Sequence, residues 1–514
     1  MNRKPDLPSL LLFTALLFGI IVRFYPAAAN GFPLNDGGMF FSMVQDLKAN
    51  GFRLPHFTTY NQAGISFAYP PFGFYAAALL SALVPDSDLS IFLYLPAFIN
   101  SLSILAFYLF AKEMLKSRLN ASLATVIYAL SARAFVWQVM GGGITRAFGM
   151  LFLLMMLWQA VQLFKNYHHK HLLLTILFGA GTVISHPQTA LHAAVGGLLL
   201  FVFFGRSQRG SISALLVGAG VALLSAPWWA TAFSRHGITP FLSAGQSSQR
   251  TVEAYLAVIR FDGLGDFIFL PTFLLASIGI YLSIRQKDFF LLAWAALALG
   301  IDPRGGEGIA LLSFALLGGM GLVAFIGWFS RMGSTQVEGA FSKREVQVVL
   351  TVLIGYFIFS ASIFDFQLIN TSLKSDDLNM IEWVKENVDE GKTFALATGR
   401  EFSMTDPLQE WFPALTGRKS LTTMQGLEWT LAGDFFPWYE QLIEFQKCAD
   451  MTCVESWSAR NNVNYEYLIV LIPAETENGG LFDSLRSLGV SARESESHML
   501  VFESEHALVF EHKK

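Results

Sequence analysis

Long, nearly uncharged apolar windows limit this chain more than any other feature. About eleven of them run for roughly 17 to 23 residues, the length a helix rising about 1.5 Å per residue needs to cross about 30 Å of hydrocarbon. With 53% hydrophobic and 14% charged residues, the 514-residue chain reads as an integral membrane protein of cell membrane or envelope. The windows lie near 7–25, 90–111, 119–133, 147–164, 171–186, 189–205, 212–231, 264–284, 289–301, 307–329 and 346–365. The first follows Asn2, Arg3 and Lys4 and, lacking a clear cleavage site after it, reads as a retained span rather than a signal peptide.

Charge sets the expected orientation. Residues 372–514 hold 24 acidic and 12 basic side chains, leaving 15 acidic and 23 basic for the remainder. Short loops rich in Lys and Arg stay cytoplasmic. One parity places Arg3/Lys4, Lys112/Lys116/Arg118, Lys165/Lys170, Arg206/Arg209, Arg285/Lys287 and Arg331/Lys343/Arg344 together inside. It requires that "YPPFGFYAAALLSALVP" (69–85), with about 14 residues between its prolines, lies at the interface instead of crossing. The N-terminus is then cytoplasmic, and the outer face receives a long first loop (about 26–89), several short loops and the whole C-terminal part. The spare positive charge is explained by cytoplasmic loops and gives no reason to expect nucleic acid.

From about residue 371 the pattern changes to helix-like ("SDDLNMIEWVKENV") and strand-like ("KTFALAT", "YEYLIVLI", "HMLVFES") stretches, read as a small α/β domain over 371–514. Membrane helices with interfacial helices over 1–370 and an exocytoplasmic α/β domain are the expected fold. Cys448 and Cys453, the sole cysteines, form a close pair on an oxidising side, which favours a disulfide over a metal site.

Polar residues with chemical potential gather in the outer loops. Asp36 stands beside Gly37 and Gly38, ahead of amphipathic "MFFSMVQDLKANGF". One reading makes it the N-cap of that helix; the other makes it a carboxylate at the membrane surface acting as general base, with glycines admitting a substrate. "GGGITRAFG" puts three glycines before Arg146 at the head of a span, suited to an anion or to a snorkelling arginine. In "DPRGGEG", Arg304 is placed to hold phosphate or to pair with Asp302 or Glu307. His186, in "ISHPQTALH", stands between two helices, where it either positions a phosphate or hydroxyl or satisfies a helix terminus. Tyr69, Trp137, Trp228 and Trp229 read first as interface anchors, and Trp411, Trp429 and Trp438 as core with a sugar or protein contact as the alternative. The outer-loop cations of the membrane part are nearly all arginines, which suits bidentate phosphate binding and also lipid headgroups.

This layout resembles the GT-C superfamily of membrane glycosyltransferases: an acidic residue in a long first outer loop, a "YPP" interfacial segment, many spans and an outer C-terminal domain. The stretch "GFRLPHFTTYNQAGISFAYPPFGFYAAALL" is similar to the first-loop signature of the 6-pyruvoyl-tetrahydropterin-synthase-related membrane protein family. The resemblance implies transfer of a sugar from a polyprenyl-phosphate-linked donor to an acceptor on the outer face, with inversion. It makes Asp36 the acceptor's base; the residues themselves then suggest Arg304, Arg146 and His186 as donor-phosphate ligands, with Tyr69 and Asn35 as substrate contacts. Many relatives carry paired acids where this chain has Asp-Gly-Gly, a departure that weakens the case for the Mg or Mn that the resemblance allows; no metal ligand is assigned. A transporter or flippase for a lipid-linked or anionic substrate and a non-catalytic envelope scaffold are the rival classes. Transport predicts ionisable groups within spans and internal repeats, and neither stands out.

Overall fold

The computed structural model describes residues 6–246, 270–303, 305–330, 337–401, 403–473 and 480–513. Every apolar window coincides with helix where it is described. Among the described residues, seven helices are long and apolar enough to cross a membrane: Leu7–Asn30, Asp88–Leu115, Gly143–Asn166, Pro187–Phe204, Gln208–His236, Gly306–Phe329 and Arg344–Ile369. Arg118–Leu130 and Ala132–Val139 form an eighth if the pair, bent by 83°, is one span. The helices His169–Val183, Leu270–Gln286 and Phe290–Ile301 are shorter, so the eleven expected crossings reduce to seven or eight by length and composition. The chain is a multi-pass membrane protein.

Local chemistry sets the ends of these helices. Asp6 accepts from Ser9 N ahead of the first, whose C-terminus is closed by left-handed Gly31. Leu215, Leu223, Val352 and Phe359 are exposed on the outer helices, as lipid-facing side chains are. Inside the bundle, small residues bring backbones together: a Cβ on Gly321 would stand 1.9 Å from Leu275 O, and one on Gly279 2.1 Å from Leu317 O. Two ionisable groups within spans, Arg23 and Asp365, are buried. Arg23 donates to Asn100 Oδ1 and to the carbonyls of Gly19 and Ala129, tying three helices through one guanidinium.

The stretch Tyr69–Val84 yields one helix, Phe72–Leu83, whose 12 residues reach about 18 Å, too short to cross. It packs with Gly38–Ala49 from the first loop against the spans.

The C-terminal part carries a five-stranded sheet, β1 (Thr393–Ala397), β2 (Lys419–Ser420), β3 (Tyr467–Leu471), β4 (His498–Glu503) and β5 (Ala507–His512), in the order β2-β1-β3-β5-β4. β1 is parallel to β2 and β3; β5 is antiparallel to β3 and β4. The period of two divides the strands between two cores. Ala395, Ala397, Leu468 and Val470 face helices Phe435–Gln446, Met451–Asn461 and Gly480–Glu494. Phe394, Leu396, Tyr467 and Ile469 face the other way, into a core shared with Phe412 and Trp411 of helix Pro407–Thr416 and with Phe32, Met39, Phe40 and Phe74 of the first loop. One hydrophobic core therefore joins the C-terminal sheet to the first loop. Cys448 and Cys453 are bonded at its far side, with 5.5 Å between Cα atoms.

Trp411 is the hinge pin of that shared core. It is fully buried, its ring 4.9 Å from Phe32 and 5.8 Å from Phe41, and its indole N–H donates to Asn35 O at 2.9 Å. Trp411→Ala is expected to cost about 3–5 kcal/mol and to lower the unfolding midpoint in detergent. Thermal unfolding read by tryptophan fluorescence checks it, and a midpoint equal to wild type contradicts the shared core.

Candidate functional site

The first loop leaves its helix through Gly31 and turns twice more with positive φ, at Asn35 (52°) and Gly37 (127°). These turns lay its backbone directly on the glycine run that opens Gly143–Asn166. Gly141 N donates to Leu34 O at 2.9 Å. A Cβ on Gly141 would lie 2.0 Å from Asp36 O, and one on Gly37 2.9 Å from the Gly141 backbone. The glycines on both sides are required by this approach.

Contact at that distance delivers the Asp36 carboxylate to Gly142 N, which donates to Oδ1 at 2.9 Å, and to Arg146 one turn on. The guanidinium engages both oxygens: Nη1 to Oδ2 at 2.9 Å, and Nη2 to Oδ1 and Oδ2 at 3.0 Å. Its Nε donates to Trp137 O at 2.7 Å and its plane lies 5.6 Å from the Trp137 ring centroid. Both carboxylate oxygens and all three guanidinium nitrogens thus have partners. Asp36 does not cap the following helix: the N-cap position is Gly37, without a side-chain cap, so the capping reading of Asp36 is not realised.

The capping role belongs instead to a residue from the C-terminal part. Glu410 Oε1 accepts from Gly37 N and Met39 N, both at 3.1 Å. Burial, then the neighbouring Asp36 charge, pushes the Glu410 carboxyl up to about 8. The half-buried Glu428 is likewise raised, to about 7, chiefly by desolvation.

Tyr69 stands above the pair. Its hydroxyl is 3.5 Å from Thr145 Oγ1, its ring 5.7 Å from Trp429 and 6.5 Å from His186. Burial raises its phenol to about 12, so it remains a proton donor. His186 is the N-cap of Pro187–Phe204; its Nδ1 accepts from Thr189 N at 3.3 Å and lies 2.8 Å from Thr189 Oγ1. An Nδ1 that accepts a backbone N–H leaves the proton on Nε2. Burial, then the Arg146 charge, lowers its pKa to about 3, so His186 is a neutral donor and not a cation. Asp36, Arg146, Tyr69 and His186 therefore share one neighbourhood. Asn35 serves the turn: it is 5% exposed and its amide nitrogen lies 3.6 Å from Met140 Sδ.

Arg304 lies outside the described residues. Around it, Asp302 accepts from Gly305 N at 3.0 Å and from Gln188, with His192 Nε2 at 3.5 Å, while Glu307 pairs with Arg133 at 2.8 Å. Among the described residues, the three-donor group close enough to share one ion is Asp376, Glu505 and His506, all in the C-terminal part and not the Asp36 cluster. Reading the sequence alone missed Glu410 and Glu428; Trp429 was visible as an aromatic near them, and it does border Tyr69, whereas Trp438 packs on Trp457.

No protein-family model and no curated protein matches this chain. Solved structures do. The arabinofuranosyltransferase AftD from Mycobacteria is similar over 99% of this chain and 40% of its own, with a TM-score of 0.59 at 14% identity. ArnT from Cupriavidus metallidurans, solved with undecaprenyl phosphate, is similar over 96% of this chain and 97% of its own, with a TM-score of 0.54 at 12% identity. The chain spans less than half the length of AftD. At 12–14% identity the likeness to these neighbours is one of fold.

Because a Cβ on Gly142 would lie 2.6 Å from Asp36 Oδ2 and 2.9 Å from Arg146 Nη2, Gly142→Ala must displace the ion pair. A cost of about 1–3 kcal/mol is expected. Gly355→Ala, with open space around it, is the control and should hold or slightly raise stability. Parallel thermal unfolding of the two variants tests the contact; equal midpoints would refute it.

Proposed function

We propose that this protein is a membrane glycosyltransferase that moves a sugar from a polyprenyl-phosphate-linked donor to an acceptor at the exocytoplasmic face, with inversion at the anomeric carbon. The observation that carries this is the Asp36–Arg146 pair on the triglycine head of Gly143–Asn166, beside Tyr69 and His186. The fold shared with AftD and with ArnT, which was solved with undecaprenyl phosphate, supports the substrate class. The first-loop likeness to the 6-pyruvoyl-tetrahydropterin-synthase-related family agrees with the same class.

Inverting transfer needs a base for the incoming hydroxyl and a countercharge for the departing phosphate. In the resting pair each group occupies the other: both Asp36 oxygens are bonded to Arg146, which keeps them from an incoming hydroxyl. A donor phosphate entering beside Arg146 competes for the guanidinium, being itself a bidentate partner. As Arg146 turns toward phosphate it releases an Asp36 oxygen to accept the acceptor's proton, so donor binding arms the base. Neutral His186 and Tyr69 donate hydrogen bonds to the phosphate or sugar, and Arg304 is assigned a further charge on the phosphate. Mg or Mn would supply further countercharge, although Asp36 has no neighbouring acid in the first loop to complete a ligand set.

Purified protein in liposomes, supplied with polyprenyl-phosphate sugars and scored for loss of the donor's sugar, tests this reading. Asp36→Asn is expected to reduce transfer by about 100- to 1000-fold, the cost of one removed transition-state contact, with folding retained. Undiminished transfer in that variant would sink the mechanism. Accumulation of donor lipid in the opposite leaflet, with its sugar intact, would favour a flippase instead.

A further inference from the structure

The carboxyl of Glu410 sits in an unusual place for an acid. It is 2% exposed, within a core shared by two separate parts of the chain, and stands next to the Asp36 loop. Both ends of the residue are fixed. Its carbonyl accepts from Tyr60 Oη at 2.8 Å and lies where a side chain on Gly38 would intrude, 2.2 Å from that glycine's virtual Cβ. Its Oε1 accepts from Gly37 N and Met39 N, which flank Gly38. Its Oε2 is buried and has no hydrogen-bond partner among the described residues.

We infer that Glu410 is a positioning residue for Asp36: supplied by the C-terminal part, it caps the helix following Asp36 as a neutral, protonated acid, holding the loop without competing for Arg146. The activity half of this inference rests on the glycosyltransferase reading; the protonation half does not.

The surroundings leave the proton as the consistent solution. The charged and titratable groups facing Glu410 are Asp36 from the first loop, Glu428 from the 426–429 turn, Tyr60 from the 60–62 turn and Arg146 from its span. Two are acids, and the sole cation is bonded to Asp36. The Gly38–Ala49 helix contributes only its first amides, whose partial positive charge lowers the cost of an anion but is outweighed by burial. A neutral carboxyl still accepts both N–H groups through its carbonyl oxygen. Ionisation would place a second negative charge beside Asp36 and draw on the same guanidinium.

The sign of the pH dependence follows. Native Glu410 binds its proton more tightly than the unfolded chain does, so its contribution to stability is complete below the ordinary glutamate range and is lost as pH rises toward about 8. Transfer, through the position of Asp36, should fall over the same upper limb.

The test uses full-length protein with Glu410→Gln and Glu410→Ala. Infrared titration of wild type minus Glu410→Gln should show a carboxylic-acid band at neutral pH that disappears near pH 8. Glu410→Gln, a neutral near-isostere, should keep transfer at neutral pH within about twofold and lose the alkaline fall. Glu410→Ala, which leaves two amides unpaired, should lower kcat by about 100-fold with donor KM little changed. Absence of the infrared band, or an unaltered pH profile in Glu410→Gln, would overturn the proposal, as would a Glu410→Ala enzyme as active as wild type. If wild-type protein transfers from no donor, the enzyme reading fails, and the infrared band together with the alkaline loss of thermal stability decides the protonation half alone.

Discussion

The candidate site depends on a contact between two backbones. Leu34–Asp36 and Gly141–Gly142 approach so closely that no side chain fits between them. That approach converts a membrane-edge aspartate, which water would otherwise solvate, into one arm of a partly buried ion pair. A surface pair of this kind contributes little, but here Asp36 and Arg146 are 14% and 19% exposed, and the arginine is also held by Trp137. Geometry therefore matters more than net strength. The pair stores an arginine and a carboxylate in mutual neutralisation at a place where one substrate group could exchange with either.

The bilayer imposes the complementary constraint. Polar groups within it must find partners inside the protein, and Arg23 does so by reaching Asn100 and the Ala129 carbonyl on neighbouring helices and the Gly19 carbonyl on its own. This is an organising role for charge in the bundle, distinct from the outer cluster of Asp36, Arg146, Tyr69 and His186. Buried ionisable groups in spans, Arg23 and Asp365 among them, modify the expectation of nearly charge-free span interiors, but each of these two lies in the C-terminal half of its helix, close to the connections that build the site.

Much of this was legible in the sequence because membranes demand length and composition above all else. The apolar windows of Asp88–Leu115 and Gly306–Phe329 could be recognised without knowing their neighbours. The count of crossings was less legible: Phe290–Ile301 has only 12 residues and packs on Gly306–Phe329 and Pro187–Phe204, so its apolar character serves protein contacts as well as lipid. Sheet strands announced themselves by alternation, as in Phe394 and Leu396 against Ala395 and Ala397. Asp36 and Arg146 stood out individually beside their glycines, yet nothing local says that they touch across 110 positions. Glu410 was invisible for the same reason: "PLQEWFPALT" reads as an ordinary amphipathic helix, and the meaning of its acid lies in amides 373 residues earlier.

That separation has a consequence for biogenesis. When the first loop emerges, the amides of Gly37 and Met39 face solvent and the apolar side chains of Met39, Phe40 and Phe74 have no sheet to cover them. All the spans must insert, and roughly the first third of the C-terminal part must be translated, before Pro407–Thr416 can arrive, and β3, β4 and β5, which complete the sheet, follow it. Assembly of this end of the molecule is therefore the last event of its synthesis, and a nascent or truncated chain carries Asp36 and Arg146 without the element that finishes their surroundings. Quality control that reads exposed apolar surface would find it on the first loop of any product that stops short.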